Sequence, residues 1–346
     1  MPNTPWVVRI VTLLTIVCAT GCTPSQIPRQ NDAARRLVIY SGRTEAFLTP
    51  VIDAFRTAYP DITVDIKYAK NTELAALILA ERSNPQADIF LTTDMLVPLR
   101  MVDSGVFATM PPRGSESVPA TLKDAQGRWT SVTWRARVIL YNTDMVDAAD
   151  APTSMLDLTD PRWRGNVAFA DATNGPFQAQ IAAMMHLIGP EQTRAWVNGL
   201  VANQTQFLSN ATDLRMAVGS GEFAIGVANH YHYEVQRREA TNNHIGIVFP
   251  DQAAGQMGVM MNTATVSQLA GAPHPDAAAT FAAFLFQPDT QKLFADVNFE
   301  FPVLPGVVID SGTTQPDDFR MATVPMDDAA DDADAAIQLM QHAGIP

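Results

Sequence analysis

The sequence predicts an α/β protein of two similar lobes, each a mostly parallel sheet flanked by helices. Three observations predict it. Strand-like apolar runs alternate with amphipathic stretches from residue 37 to residue 102. A second alternation of the same kind begins at residue 167. And 346 residues suffice for two medium domains.

Leu37-Val38-Ile39-Tyr40 is the first apolar run and reads as a buried strand. The polar turn Ser41-Gly42-Arg43-Thr44-Glu45 follows. Phe47, Val51, Ile52, Phe55 and Tyr59 then recur at helical spacing until Pro60-Asp61 stops them. Residues 62–68 alternate as a strand. Residues 72–82 form a helix with Leu74, Leu77, Ile78 and Leu79 on one stripe. Residues 87–91 are another buried strand, closed by Thr92-Thr93-Asp94 and a helix to Val102. Parallel sheets place ligands beyond the carboxyl ends of their strands, where the turns at Gly42-Arg43-Thr44 and Thr92-Thr93-Asp94 fall. Ser41, Thr44 and Thr93 also suit helix capping, which does not exclude a ligand at the same helix ends.

Residues 129–134 and 138–141 read as two strands, with Arg135 and Arg137 between them. A turn-rich stretch, 156–165, leads into the second series. It contains a strand at 167–170, a helix start at Thr173-Asn174-Gly175-Pro176, and helices at 177–187 and 190–200. A strand at 205–208, a helix start at Ser209-Asn210-Ala211-Thr212 and an apolar strand at 223–228 follow. Asn174, Asn210 and Asn229 each lie between a strand and a helix start, so a parallel sheet turns all three towards one crevice. Singly, each is an ordinary N-cap. Together, beside helix N-termini, they make an oxyanion pocket. Strands at 245–249 and 259–261, helices at 275–286 and 288–297, and an acidic amphipathic helix at 326–342 complete the chain.

Apolar residues make up 47% of the chain, enough for a real core. The formal net charge of −13 excludes nucleic-acid binding as the main role, since that needs a basic face. At the N-terminus, Arg9 is the only charged side chain before an apolar run at 10–17, which Ala19-Thr20-Gly21-Cys22 follows. This predicts a short export segment, 1–21, too short to span a membrane as a mature helix. Gly21-Cys22 resembles the lipobox of bacterial lipoproteins, which predicts lipidation at Cys22. Cys18 would leave with the signal, so no intramolecular disulfide is expected. Residues 22–36, with Pro24, Ser25 and Pro28, read as a flexible tether.

The densest group of metal-capable side chains is Asn229-His230-Tyr231-His232-Tyr233. Ordinary aromatic packing at a helix start is the other reading of these residues. The motifs of nucleotide-binding loops, zinc proteases and serine-hydrolase elbows are absent. His230 and His232 are too few for a closed zinc site, and no nucleophile stands near them for a hydrolase. An enzyme is not expected.

Several stretches, taken in order, resemble one family. They are Ile39-Tyr40-Ser41-Gly42-Arg43-Thr44-Glu45, Ala87-Asp88-Ile89-Phe90, Arg135-Ala136-Arg137-Val138, residues 156–165, Asn229-His230-Tyr231 and Phe301-Pro302-Val303-Leu304-Pro305-Gly306. The chain from 37 to 346 resembles the bacterial ferric-ion-binding proteins, periplasmic substrate-binding components of iron(III) ABC importers. The resemblance implies a two-lobed periplasmic binding protein fold of type II, a Venus flytrap whose lobes close on a ligand by hinge motion. It implies lobe 1 at 37–134 and 262–301, and lobe 2 at 135–261 and 302–346. It implies iron(III) as transported ligand, with carbonate or phosphate as a synergistic anion. It further implies a permease as partner, a monomer, and an exported protein held to a membrane through Cys22.

Tyr231 matches the first of the family's two adjacent iron-binding tyrosines, and His232 stands at the second. Tyr233 lies one further on. Thr44 replaces a histidine of some relatives, Thr93 a carboxylate with Asp94 beside it, and Phe177 falls near a third tyrosine. The expected metal ligands are therefore Tyr231, His232, Tyr233 and Asp94. The expected anion-holding residues are Arg43, Thr44, Thr93, Asn174, Gly175, Asn210 and Asn229. Iron(III) favours anionic oxygen, so an imidazole at position 232 softens the site. The alternative within the same fold is a small oxyanion, such as a phosphonate, in place of iron.

Overall fold

The computed structural model describes residue 1 and residues 36–310, 312–324 and 332–346. The export segment, Cys22 and nearly all of the tether lie outside the described residues. No helix among the described residues is long and apolar enough to cross a membrane.

The first series is β1 (Arg36–Ser41), α1 (Glu45–Ala58), β2 (Thr63–Tyr68), α2 (Asn71–Ala80), β3 (Ile89–Leu91) and α3 (Leu96–Met101). The long strand β4 (Thr130–Asn142) leads to β5 (Val167–Ala170), α4 (Gly175–Ile188), α5 (Pro190–Ala202), β6 (Gln206–Leu208), α6 (Ala211–Ser220), β7 (Ile225–Asn229) and α7 (Tyr231–Gln236). The chain ends with β8 (Ile245–Val248), β9 (Met261–Gln268), α8 (Pro275–Leu285), α9 (Pro288–Asn298), β10 (Phe301–Pro302) and α10 (Ala333–His342). The ten strands form one sheet ordered β2-β1-β3-β9-β4-β7-β5-β6, with β8 and β10 pairing β4 off that path.

The alternation predicted from the sequence is present, and the fold is the expected two-lobed α/β one. Strands β2, β1 and β3 run parallel, as do β6, β5 and β7. The strands that connect the two halves, β4 and β9, run antiparallel to their neighbours.

Strand β4 is a correction to the sequence reading. Two strands separated by Arg135 and Arg137 were expected; the backbone continues through both as one strand. Its N-terminal half pairs with β9 as far as Ala136 opposite Met261. From Arg137, opposite Asn229, it pairs with β7. The arginines do not break the strand, because successive side chains point to opposite faces and theirs find polar partners. Both are buried, 2% and 3% exposed.

Each half has its own apolar core. In the first, Leu48, Val51, Ile52 and Phe55 of α1 pack with Phe281, Phe284 and Phe294. Phe55 meets Phe281 edge-on, with ring centroids 5.1 Å apart. Full burial of such side chains stabilises by about 1.5–3 kcal/mol each. In the second, Phe169, Phe177 and Trp196 form the aromatic centre. After β10 the chain crosses to the second half. There Met321 bridges Val259, and Arg320 donates to the carbonyls of Asp251 (2.7 Å) and Gln256 (2.9 Å). Helix α10 covers α4. The first part of the helix expected at 326–342 lies outside the described residues.

Candidate ligand cleft

A cleft of about 230 Å³ lies where the two halves meet. From the first half, the turn after β1 brings Gly42, Arg43 and Thr44, α1 brings Phe47, and the turn after β3 brings Thr93. From the second, the starts of α4 and α6 bring Asn174 and Asn210, and the β7–α7 junction brings Asn229, Tyr231 and His232. Arg135 of β4 and Glu300, between α9 and β10, close the back. Larger surface grooves of about 540 and 480 Å³ lie beside the chain following β10 and beneath α10. Neither gathers buried charged side chains, so the cleft is the candidate site.

Tyr231 opens α7, and its ring stands edge-on to Phe47 across the cleft, with centroids 5.5 Å apart. Burial pushes the phenol's pKa up, an effect that Glu300 adds to; Arg135, Arg43 and Arg137 pull the other way. His232 lies against Tyr231, with ring centroids 4.2 Å apart. Burial, with Arg215, Arg137, His230 and Arg135 nearby, lowers its pKa to about 3. The imidazole is therefore neutral at ordinary pH and keeps a lone pair for a metal or a donor.

His230 has a different job. Its Nδ1 accepts the Ala136 N–H at 3.2 Å, and its ring stacks on Phe301 at 4.0 Å. It fastens α7 to β4 and does not line the cleft.

Two expected metal ligands are not brought to the cleft wall. Tyr233 packs into the second half's core beneath the Arg237 guanidinium, 5.4 Å from its ring. The cause is helical geometry: residues two apart on a helix diverge by about 200°. Asp94 is buried and committed: Oδ1 accepts the Val97 N–H at 3.0 Å and Oδ2 accepts from Asn71. Burial raises its pKa, against the pull of those hydrogen bonds. It stands against Gly175 from the opposite half, where a Cβ would fall 2.8 Å from Asp94 Oδ2.

The three asparagines do converge. Asn174 caps α4, its Oδ1 accepting the Phe177 N–H at 3.1 Å. Asn210 is wholly occupied: Oδ1 accepts from Thr212 and Asp213, and Nδ2 donates to Ser209 and Asp213. Asn229 Oδ1 accepts from Arg137 at 3.3 Å. Thr44 sits exposed at the start of α1 and makes no side-chain cap. Thr93 Oγ1 accepts from Asn71 at 2.9 Å.

The strongest polar group in the cleft is one that sequence reasoning assembled only in part. Glu300 accepts from Arg43 and, at 2.8 Å, from Thr133, and lies 3.8 Å from Arg135 Nη1. Arg135 Nη2 donates to the Thr93 carbonyl. Nε and Nη1 of both Arg43 and Arg135 are buried without a hydrogen-bond partner. Behind them, Arg137 donates to Gln180 Oε1 at 3.0 and 3.1 Å and, among the described residues, has no carboxylate partner. Burial lowers its pKa to about 9. Arg135 and Glu300 were missed as site residues. Charges inside otherwise apolar stretches, Trp134-Arg135-Ala136-Arg137-Val138 and Phe299-Glu300-Phe301, were the available signal.

A two-lobed α/β molecule with a polar, charged cleft between its lobes and two crossing strands is built as a solute-binding protein, not as an enzyme. The chain belongs to the bacterial extracellular solute-binding proteins, whose family pattern matches residues 84–330. It is 31% identical to iron uptake protein A2 of Synechocystis over 303 residues, covering 84% of this chain and 85% of that one. It is 27% identical to the Fe(3+)-binding periplasmic protein of Serratia marcescens over 316 residues, covering 91% of this chain and 92% of that one. Iron-bound HitA from Pseudomonas aeruginosa shares the fold with a TM-score of 0.83 at 26% identity, over 90% of this chain and 99% of that one.

Proposed function

We propose that this protein is the exported solute-binding component of an ABC importer, and that it captures iron(III) with a synergistic anion between its lobes. One observation carries the reading: Tyr231 and His232 stand side by side on one wall, opposite two guanidiniums with unpartnered buried N–H groups. The phenol and the imidazole supply donors to the metal, and Arg43 and Arg135 hold carbonate or phosphate. An iron uptake protein and an Fe(3+)-binding periplasmic protein among the relatives support the choice of metal. Lobe 1 comprises 37–134 and 262–301 and lobe 2 comprises 135–261 and 302–346, in keeping with the change of β4's partners at Arg137. The protein works as a monomer, anchored by lipid at Cys22, and hands its cargo to a membrane permease.

Visible spectroscopy tests this directly. The purified soluble domain loaded from ferric citrate should show a tyrosinate-to-iron(III) charge-transfer band, and Tyr231→Phe should abolish it. A colourless protein that retains no iron under several anions overturns the reading. The second reading, a small oxyanion such as a phosphonate without iron, is favoured by the excess of positive charge in the cleft. Calorimetry with phosphate and phosphonates in metal-free buffer would then show binding.

A further inference from the structure

A single residue, His230, stands between the last residue of β7, Asn229, and the first of α7, Tyr231. Resting on the iron(III) reading above, we infer that His230 is a positioning residue for the cleft: its imidazole stands in for a strand carbonyl on β4, and thereby fixes where α7 presents Tyr231 and His232 to Arg135.

The strand register creates the need for it. Strands β4 and β7 pair antiparallel, and their last pair is Arg137 opposite Asn229. The next pair along would be Ala136 opposite His230. Half of it forms: the His230 N–H donates to the Ala136 carbonyl at 2.9 Å. In a complete pair the Ala136 N–H would donate to the His230 carbonyl in return. But His230 is already helical, at φ −54 and ψ −34, and its carbonyl turns along α7. There it accepts from the Tyr233 N–H at 3.0 Å and the Glu234 N–H at 3.4 Å. The N–H of fully buried Ala136 would be left unpaired, which native structures rarely tolerate. Nδ1 of the ring accepts it instead, at 3.2 Å. The chain so passes from strand to helix within one residue.

Ala136 lies between Arg135 and Arg137, at the last pairing of β4 with β9. The strand that carries Arg135 and the helix that carries Tyr231 and His232 are therefore joined by two adjacent hydrogen bonds, one residue away from each. The ring of His230 also stacks on Phe301 at 4.0 Å, and Phe301 follows Glu300 in the chain. The donor wall, Arg135 and the turn that carries Glu300 meet at this one side chain.

Packing alone does not explain a histidine here. With Nδ1 accepting, the proton sits on Nε2, buried near the Phe299 carbonyl with no hydrogen-bond partner among the described residues. Phenylalanine would stack on Phe301 without leaving an N–H unpaired. The acceptor at Nδ1 is what distinguishes the two in histidine's favour.

Two substitutions separate the roles of the ring. His230→Phe keeps the stack and removes the acceptor. His230→Asn keeps an acceptor at the matching atom, Oδ1, and removes the stack. In the metal-free protein, amide hydrogen exchange at Ala136, relative to Ile139 of the same strand, should quicken roughly tenfold or more in His230→Phe and stay near the wild-type rate in His230→Asn. A crystal structure of metal-free His230→Phe should show the Tyr231 hydroxyl moved by roughly 1 Å relative to Arg135. Iron(III) loaded from ferric citrate should pass to a competing chelator roughly tenfold faster from His230→Phe than from the wild type or His230→Asn, read from the tyrosinate band. Exchange that quickens alike at Ala136 and Ile139, or His230→Asn no better protected than His230→Phe, reduces the ring to packing and overturns the inference. So does a His230→Phe protein that exposes the Ala136 amide yet holds Tyr231, or its iron, as the wild type does. Should His230→Phe fail to fold, lost protection at Ala136 in His230→Asn overturns the inference and kept protection supports it. A wild type that forms no iron band overturns the iron(III) reading, and exchange and the crystal structure then decide the positioning of α7 without it.

Discussion

His230 and His232 are buried neutral imidazoles, each with its pKa lowered to about 3 by burial. An unfolded histidine titrates near ~6.5. Protonation therefore favours the unfolded chain. The stability each ring contributes is complete above the unfolded pKa and is lost as pH falls from about 6.5 towards about 3. The loss is at most about 1.4 kcal/mol per pH unit per ring. Urea midpoints of the metal-free domain should fall between pH 7 and pH 5, and His232→Gln should flatten that slope. A slope unchanged by the substitution would show that His232 is not its source. At this scale the sequence disclosed the identity of the ring at 232 and its departure from a second tyrosine. It did not disclose that His230, two residues away, is spent on the backbone of Ala136 and the face of Phe301.

The elements that build the site are β4, α7 and the short turn from α9 into β10. Phe299 adopts φ 55 at the end of α9 and turns the chain so that Glu300 stands between two apolar neighbours. Glu300 answers Arg43 in a nearly dry site, their side chains 7% and 2% exposed. Glu300→Gln should therefore cost on the order of 3–5 kcal/mol, because it leaves a buried guanidinium without its counter-ion. Adding Arg43→Gln should recover part of that loss, read as the coupling in a double-mutant cycle of urea unfolding. Additive losses would mean that the pair does not act as one unit. The outer strands and long helices were legible in the sequence because periodicity reports burial of a face, as in α1. Strand β4 departs from the two strands the sequence predicts because charges usually end an apolar run; here the strand crosses a cleft that holds them. Helix α7 spans only six residues, too few for a period to show, so the divergence of Tyr233 from Tyr231 waited for the backbone.

At the scale of the whole molecule, the two halves touch across the cleft through residues outside either apolar core. Phe47 meets Tyr231, and Asp94 meets Gly175. Strands β4 and β9 connect the lobes, and the chain after β10 crosses to the second lobe once more. Lobes joined this way can rotate while each core stays intact, so ligand binding should compact the molecule without altering its secondary structure. X-ray scattering of the soluble domain should show a smaller radius of gyration with ferric citrate than without. Gly175→Ala tests the mechanism, because its Cβ would lie 2.8 Å from Asp94 Oδ2, against a side chain held at both oxygens. Crowding of that kind costs about 1–3 kcal/mol in the closed state. The open state, where the two residues separate, is spared. The variant should unfold at nearly the wild-type temperature when metal-free, bind the ligand roughly 5- to 150-fold more weakly, and compact less on binding. A variant that binds and compacts as the wild type does would show that the lobes do not close through this contact. A radius that stays constant in the wild type would remove hinge closure from the capture step altogether.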